Sequence, residues 1–300
     1  MDYLSNGMCR DPEADYEVSR LYTDGGATQK YPICFLTNGG GVTEAQKAQQ
    51  LSNWLGVNVR ENQVVLSHTP FRSLAKSLGS KPVLVAGVGS VAEVAREYGF
   101  KHVLTTTDIA HALHKAVPFW KNSPGHEAPA PGECPVRNLA LGSAKRPIAA
   151  ILVFKDPADW YLDLQIMTDV ILGGGVPGRW KPRVADRASV PVYFSNPDLL
   201  WATDFPAPRF GQGAFAAALR TLYRQTTGAA LEHQYYGKPN RAPYALAEEL
   251  LLEQAIQLGQ LPAGSGAEAA KPGNVVVDDV ADAVEAALHR TRSSEWHSLR

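Results

Sequence analysis

Five short apolar runs break into polar or glycine-rich tips, and most are followed by a stretch of helical periodicity; this alternation constrains the 300-residue chain most strongly. The runs are YPICFLTN (31–38), PVLVAGV (82–88), KHVLTTTD (101–108), AAILVFKD (149–156) and VPVYFSNPD (190–198). Continuous rather than alternating apolar character suits strands buried on both faces, which is the habit of parallel sheets. Segments 43–56, 90–100, 159–172, 213–228 and 244–259 read as helices; in the first, Ala45, Ala48, Leu51 and Leu55 fall near helical spacing and Gly56 is the stop. Strands alternating with helices predict an α/β fold in layers around a mainly parallel sheet, with right-handed crossovers.

The remaining segments punctuate that pattern. Residues 1–30 are polar and aperiodic and read as a poorly ordered lead-in. Residues 118–137 carry five prolines and read as a surface loop. A Gly/Ala-rich linker at 262–273 precedes a strand at 275–279 and a terminal amphipathic helix at 280–291.

A formal charge of -1 provides no electrostatic footprint for nucleic acid or a membrane surface. No apolar run reaches the roughly 18–20 residues that span a bilayer. Cys9, Cys34 and Cys134 are scattered and form no CxxC pair, so neither a disulfide framework nor a structural zinc site is expected. The first twenty residues contain no apolar signal core, and their five acidic residues are foreign to an Arg-rich presequence. On this ground alone the expectation is cytoplasmic.

Ligands of open α/β sheets sit at the carboxyl ends of strands. Three such ends are polar: LTNGGG (36–41), SNPD (195–198) and YGKP (236–239). Each alone also reads as an ordinary turn, because loops are polar anyway. Their order and spacing together carry the weight.

That order resembles class IIA of the haloacid dehalogenase superfamily, and within it the eukaryotic cat-eye-syndrome-region hydrolase subgroup. The resemblance runs over about 31–259, through FLTNGGG (35–41), SHTPFRSLA (67–75), AGVGSVAEVAREYGF (86–100), LVFKDPADWYLDLQIMTD (152–169), YFSNPDLLWA (193–202), RFGQGAFAAALRTLY (209–223) and YGKP. It implies a Rossmann-like core split between 31–66 and 233–300, with an α/β cap inserted at 67–232. It also implies a Mg²⁺-dependent phosphatase acting on a small phosphate ester, in a mitochondrial setting, and it leaves homo-oligomers open. Thr37, with the amides of Asn38 and Gly39, would hold a phosphoryl oxygen; Lys238 would offset charge in the transition state; Asn196 and Asp198 would lie beside the site at the junction of core and cap.

The same resemblance exposes two departures. Such enzymes attack phosphorus with an Asp carboxylate followed two residues later by a second Asp, and hold Mg²⁺ with that nucleophile and later acids. No DxD triplet precedes Thr37. Asp24 stands thirteen residues before Thr37, too close for a strand tip, a helix and a return strand, and reads as a turn residue. The GDN…SD loop that should follow the 244–259 helix is replaced by GQLPAGSGAEAAKPGN, and Asp278-Asp279 reads as the start of the terminal helix rather than a metal site. The parallel core sheet is therefore expected to be incomplete and the chemistry impaired, as in a pseudoenzyme. A non-catalytic descendant and a sequence lacking two coding segments both account for this.

Two rival readings stand beside it. Gly87-x-Gly89-x-x-Ala92 lies between an apolar run and a helix, with Asp108 ending the next run, which is close to a dinucleotide fingerprint for NAD(P). A non-catalytic phosphate-binding scaffold is the other. His111 and His114 lack a carboxylate partner at metal spacing, and Trp54, Trp160 and Trp201 are expected in cores.

Overall fold

A computed structural model describes residues 18–120, 146–203 and 205–264. The chain divides into two compact units: Met1–Leu36, Glu44–Val65 and Tyr244–Arg300 form one, and Thr37–Thr43 with Leu66–Pro243 form the other. The predicted strand 275–279 and helix 280–291, and most of the Pro-rich 118–137 stretch, lie outside the described residues.

The first unit contains the hairpin β1 (Tyr22–Thr23) and β2 (Thr28–Gln29), the strands β3 (Phe35–Leu36) and β4 (Val64–Val65), and helix α1 (Glu44–Leu55). β3 and β4 form a parallel two-stranded ladder, Phe35 opposite Val64 and Leu36 opposite Val65. The lead-in is structured from Val18 onward: β1 and β2 pair antiparallel, and Tyr22 is 3% exposed. Its order comes from side chains that periodicity does not register. The Gln63 amide donates to the Tyr22 hydroxyl at 3.1 Å, and the buried Gln29 amide donates to Gln254 Oε1 at 2.6 Å. Gln254, 2% exposed, also accepts from the Ile33 amide at 3.0 Å and donates to the Asn62 carbonyl at 2.9 Å. A side-chain amide thus satisfies a backbone donor beside the two-stranded ladder, as burial of that donor demands.

The second unit is built on a five-stranded sheet. Helix α2 (Ala75–Leu78) leads into β5 (Pro82–Ala86), α3 (Val91–Glu97) and β6 (His102–Thr105). Then come α4 (Thr106–Ala112), β7 (Ala150–Val153), α5 (Trp160–Leu172), β8 (Val192–Phe194), the hairpin strands β9 (Leu200–Trp201) and β10 (Arg209–Phe210), and α6 (Gln212–Thr227). β11 (His233–Tyr235) closes the sheet, in the order β11-β8-β7-β5-β6 with every pair parallel. β11 begins one residue beyond the expected cap segment 67–232 and is nonetheless an integral strand of this sheet. Helix α7 (Arg241–Gln257) follows.

Side chains on the central strands alternate between two cores. Leu84, Ile151, Val153 and Phe194 face the α4–α5–α6 layer with Ile166 and Phe215, whereas Val83, Val85, Leu152 and Phe154 face Phe71, Val94 and Phe100. Each of these is essentially solvent-free, and each such burial contributes about 1.5–3 kcal/mol. This explains why the runs were apolar at every position rather than at alternate ones.

Two expectations change. The run 101–108 does not stay extended: β6 stops at Thr105, whose hydroxyl accepts from the Asp108 amide at 3.1 Å while Asp108 Oδ2 accepts from the Thr105 amide at 2.8 Å. This reciprocal capping box starts α4 at Thr106. None of the three tryptophans is fully buried. Trp160 packs against the α4–α5–α6 core as expected, whereas Trp54 is only partly covered and Trp201 is 39% exposed on β9.

Candidate functional site at the strand ends

All five strands of this sheet run the same way, so the segments after β5, β7, β8 and β11 emerge at one edge. From β5 the chain passes to β6 on one side and then crosses back to β7 on the other, creating between β5 and β7 a switch point of the kind where α/β sheets hold ligands. Here the protein's own Thr37–Thr43 segment enters that crevice. The Ser90 amide donates to the Gly41 carbonyl at 3.2 Å, and the Ser67 amide donates to the Gly39 carbonyl at 3.1 Å. Gly41 has φ +84°, and a Cβ there would meet the Lys155 side chain at 2.7 Å and the Val88 carbonyl at 3.0 Å.

Three of the polar strand ends singled out from sequence meet at this edge. The Asn38 carboxamide donates to Asp198 Oδ1 and Oδ2 at 3.2 and 3.0 Å and to the Lys238 carbonyl at 3.1 Å. Its Oδ1 accepts from the Lys238 amide at 2.9 Å. Asn196 Nδ2 donates to the Asn38 carbonyl at 3.2 Å, and Asn196 Oδ1 accepts from the Asp198 amide at 2.6 Å. Asn38 and Asn196 are each 9% exposed. Thr37 Oγ1 accepts from the Gly39 amide at 3.0 Å, so that amide turns back on its own loop.

The expected part for Asn38 was its backbone amide; its side chain is what gathers the three segments. Gly237 permits the approach, since a Cβ there would fall 2.3 Å from the Ser195 carbonyl and 2.9 Å from Asn38 Oδ1. The Lys238–Pro239 peptide is cis.

Residues without an expected role complete the frame. Gln212, at the start of α6 and 1% exposed, accepts from the Asn196 amide at 2.9 Å and donates to Ser195 Oγ at 3.1 Å. Ser195 Oγ in turn donates to the Phe154 carbonyl at 2.9 Å. No spacing rule marks a glutamine at a helix start as a partner for a residue sixteen positions earlier. Asp156 also faces this edge. Burial pushes its carboxyl above the usual range, backbone hydrogen bonds and Lys155 oppose that rise, and the charge of Asp198 adds to it.

The dinucleotide reading meets a direct obstacle. At Gly87, φ +130°, a Cβ would lie 2.6 Å from the Lys155 carbonyl; at Gly89, φ +87°, it would lie 2.5 Å from the Gly41 carbonyl. The Val88 amide donates to the Asp156 carbonyl at 3.1 Å and the Ser90 amide to Gly41. The glycines serve close protein packing, the neighbouring amides are satisfied by protein carbonyls, and Asp108 caps its own helix. Ala92, third position of the fingerprint, is on α3 and packs against the Val83–Phe154 core.

Asp24 sits in the first unit, on an exposed turn at φ 54°, where its carboxylate accepts from Thr23 Oγ1 at 3.2 Å. Mg²⁺ prefers several oxygen ligands, usually with carboxylates among them. Among the described residues no group of three His, Cys, Asp or Glu side chains could hold a metal. The Asp198 carboxylate is engaged by Asn38. Asp278 and Asp279 lie outside the described residues. His111 packs edge-on to Trp120 at 4.8 Å between ring centres.

A model of the haloacid dehalogenase-like hydrolases matches residues 9–101. Over that segment the chain is similar to that family. It is 36% identical over 225 residues to a mitochondrial hydrolase of Saccharomyces cerevisiae, covering 75% of this chain and 62% of that protein. It is 35% identical over 229 residues to a cardiolipin synthase (CMP-forming)/mitochondrial hydrolase fusion protein of Schizosaccharomyces pombe, covering 76% and 37%. The chain thus spans less than two thirds of the length of either relative. Solved structures similar to it include a glycerol phosphate phosphatase of Mycobacterium tuberculosis in complex with calcium, at 17% identity and TM-score 0.46 over 86% of this chain and 55% of that one. A thermostable NPPase of Geobacillus stearothermophilus matches at 16% identity and TM-score 0.46 over 73% and 64%.

Proposed function

We propose that this chain carries the phosphate-ester recognition half of a class IIA haloacid dehalogenase hydrolase site, with hydrolysis impaired. The observation that supports it is the Asn38 carboxamide, which ties the Thr37 loop to Asp198 and to the Lys238 backbone across 160 and 200 residues of chain. Thr37 and the glycine loop supply close backbone approach to an anion, and Lys238 supplies a positive charge. The unit around the five-stranded sheet is read as the cap that selects the ester, and mitochondria as its setting.

The chemistry supports the impairment. Attack on phosphorus needs a carboxylate nucleophile at a strand tip and a metal to offset charge. Asp24 is on an exposed turn, and the described carboxylates form no metal cluster. Recognition needs neither group.

Titration of the purified chain with inorganic phosphate, followed by ³¹P NMR, tests the reading alongside a p-nitrophenyl phosphate assay with and without Mg²⁺. Saturable phosphate binding that Lys238→Ala weakens, with no hydrolysis, is the expected result. Mg²⁺-dependent hydrolysis by the purified chain overturns the impairment, and absence of phosphate binding overturns the recognition.

A further inference from the structure

The side chain of His68 is fully buried, immediately ahead of the 3-10 turn Thr69–Leu74. The Gly41 amide donates to His68 Nε2 at 3.2 Å. A backbone N–H can only donate, so Nε2 presents its lone pair and the ring proton resides on Nδ1. Nδ1 lies 2.8 Å from the Tyr98 hydroxyl, which that N–H reaches as donor. The imidazole is neutral and held as one tautomer.

Its packing leaves little freedom. The ring lies 5.4 Å from the Phe154 ring and 5.8 Å from the Tyr98 ring, centre to centre. A Cβ at Gly40 would come 2.7 Å from His68 Cδ2, so the glycine lets the imidazole sit directly against the loop. The Arg72 guanidinium covers the Tyr98 ring at 4.8 Å, and the Lys155 side chain lies against Gly41.

We propose that His68 is a positioning residue for the phosphate site, fixing the Thr37–Gly41 loop by accepting the buried Gly41 amide through Nε2. This rests on the reading of that loop as an anion site. The backbone anchors Ser67 to Gly39 and Ser90 to Gly41 hold the carbonyl side of the loop, and His68 holds the amide side. A buried amide deprived of its acceptor carries a desolvation penalty that the loop relieves by moving, carrying the Thr37 hydroxyl and neighbouring amides off their positions.

Two substitutions separate the acceptor from the ring volume. His68→Phe keeps a ring and removes the acceptor; His68→Gln carries an amide oxygen to about the reach of Nε2. Inorganic phosphate binding is expected to weaken about tenfold in the Phe variant and to stay within about threefold of the parent in the Gln variant. Amide resonances of Gly39, Gly40 and Gly41 should shift in the Phe variant and largely return in the Gln variant. A long-range ¹H–¹⁵N spectrum of the parent protein should show His68 as the Nδ1–H tautomer, a readout that stands even where a variant fails to fold. Unchanged phosphate affinity in a folded Phe variant, equal loss in both variants, or an Nε2–H tautomer each overturns the proposal. Should the parent not bind phosphate, the site reading falls, and the tautomer and loop resonances still decide whether His68 positions the loop.

Discussion

The Asn38 carboxamide grips both carboxylate oxygens of Asp198, at 3.2 and 3.0 Å, although 160 residues separate the two in the chain. A carboxylate accepts and an amide NH₂ donates, so this pairing is chemically matched; a second carboxylate in place of the amide would face the first with like charge.

Replacement Asn38→Asp should therefore lower unfolding stability at pH 7 by about 1–3 kcal/mol, a charged hydrogen bond being exchanged for repulsion. It should also detach the Lys238 carbonyl, which accepts from the same NH₂ group. Urea unfolding at pH 7 measures the first effect, and hydrogen exchange around Lys238 the second. Equal stability of the two proteins would contradict the arrangement.

Asp163 offers a test by pH. It is 6% exposed on α5; burial pushes its carboxyl up to about 6, the hydrogen bond from Thr106 Oγ1 at 2.6 Å opposes the rise, and Asp159 adds to it. The folded value exceeds the unfolded one near 3.9, so the folded state holds this proton more tightly. The stability it contributes is complete below about pH 4 and disappears as pH rises through about 6. Asp163→Asn keeps the acceptor for Thr106 without the charge. It should stabilise the fold by about 1–3 kcal/mol at pH 8 and by about half as much at pH 5, as read from urea midpoints at the two values.

Gly87→Ala distinguishes packing glycine from cofactor glycine. With φ +130° and the Lys155 backbone within 2.6–2.9 Å of the added carbon, a drop of about 2–4 kcal/mol is expected from strain and displaced backbone. NAD at sub-millimolar concentration should leave the melting temperature of the parent protein unchanged. A rise on adding NAD would restore the dinucleotide reading.

Gln254→Leu probes the first unit. It removes the acceptor of the Ile33 amide and of the Gln29 side chain, and the donor to the Asn62 carbonyl. Several buried polar groups lose partners at once, so a loss of about 2–4 kcal/mol is expected, with faster hydrogen exchange at Ile33. Exchange at Ile33 as slow as in the parent would show that the glutamine does not secure this strand.

The α/β class, the parallel sheet and three of the four long helices among the described residues could be read directly from the chain, because continuous apolar runs such as AILV at 150–153 and the helical spacing of 159–172 are properties of neighbouring residues. The fourth, α7, begins at Arg241, three residues ahead of the expected 244, with Pro243 in its first turn, where a missing N–H is harmless. Polar strand ends at Thr37, Asn196, Asp198 and Lys238 were also visible locally. What the sequence by itself determined was thus the layer pattern and the residue types presented at strand tips. Tertiary structure decided which tips meet, that Asn38 acts through its side chain, that His68, Gln212 and Ser195 support it, and that Gly87 and Gly89 serve packing. The physical reason is range. Periodicity and turn chemistry are set by residues within a few positions of each other, whereas a hydrogen bond over 160 residues, or a carbonyl that a Cβ at Gly89 would meet at 2.5 Å, depends on strand order, which no local pattern encodes.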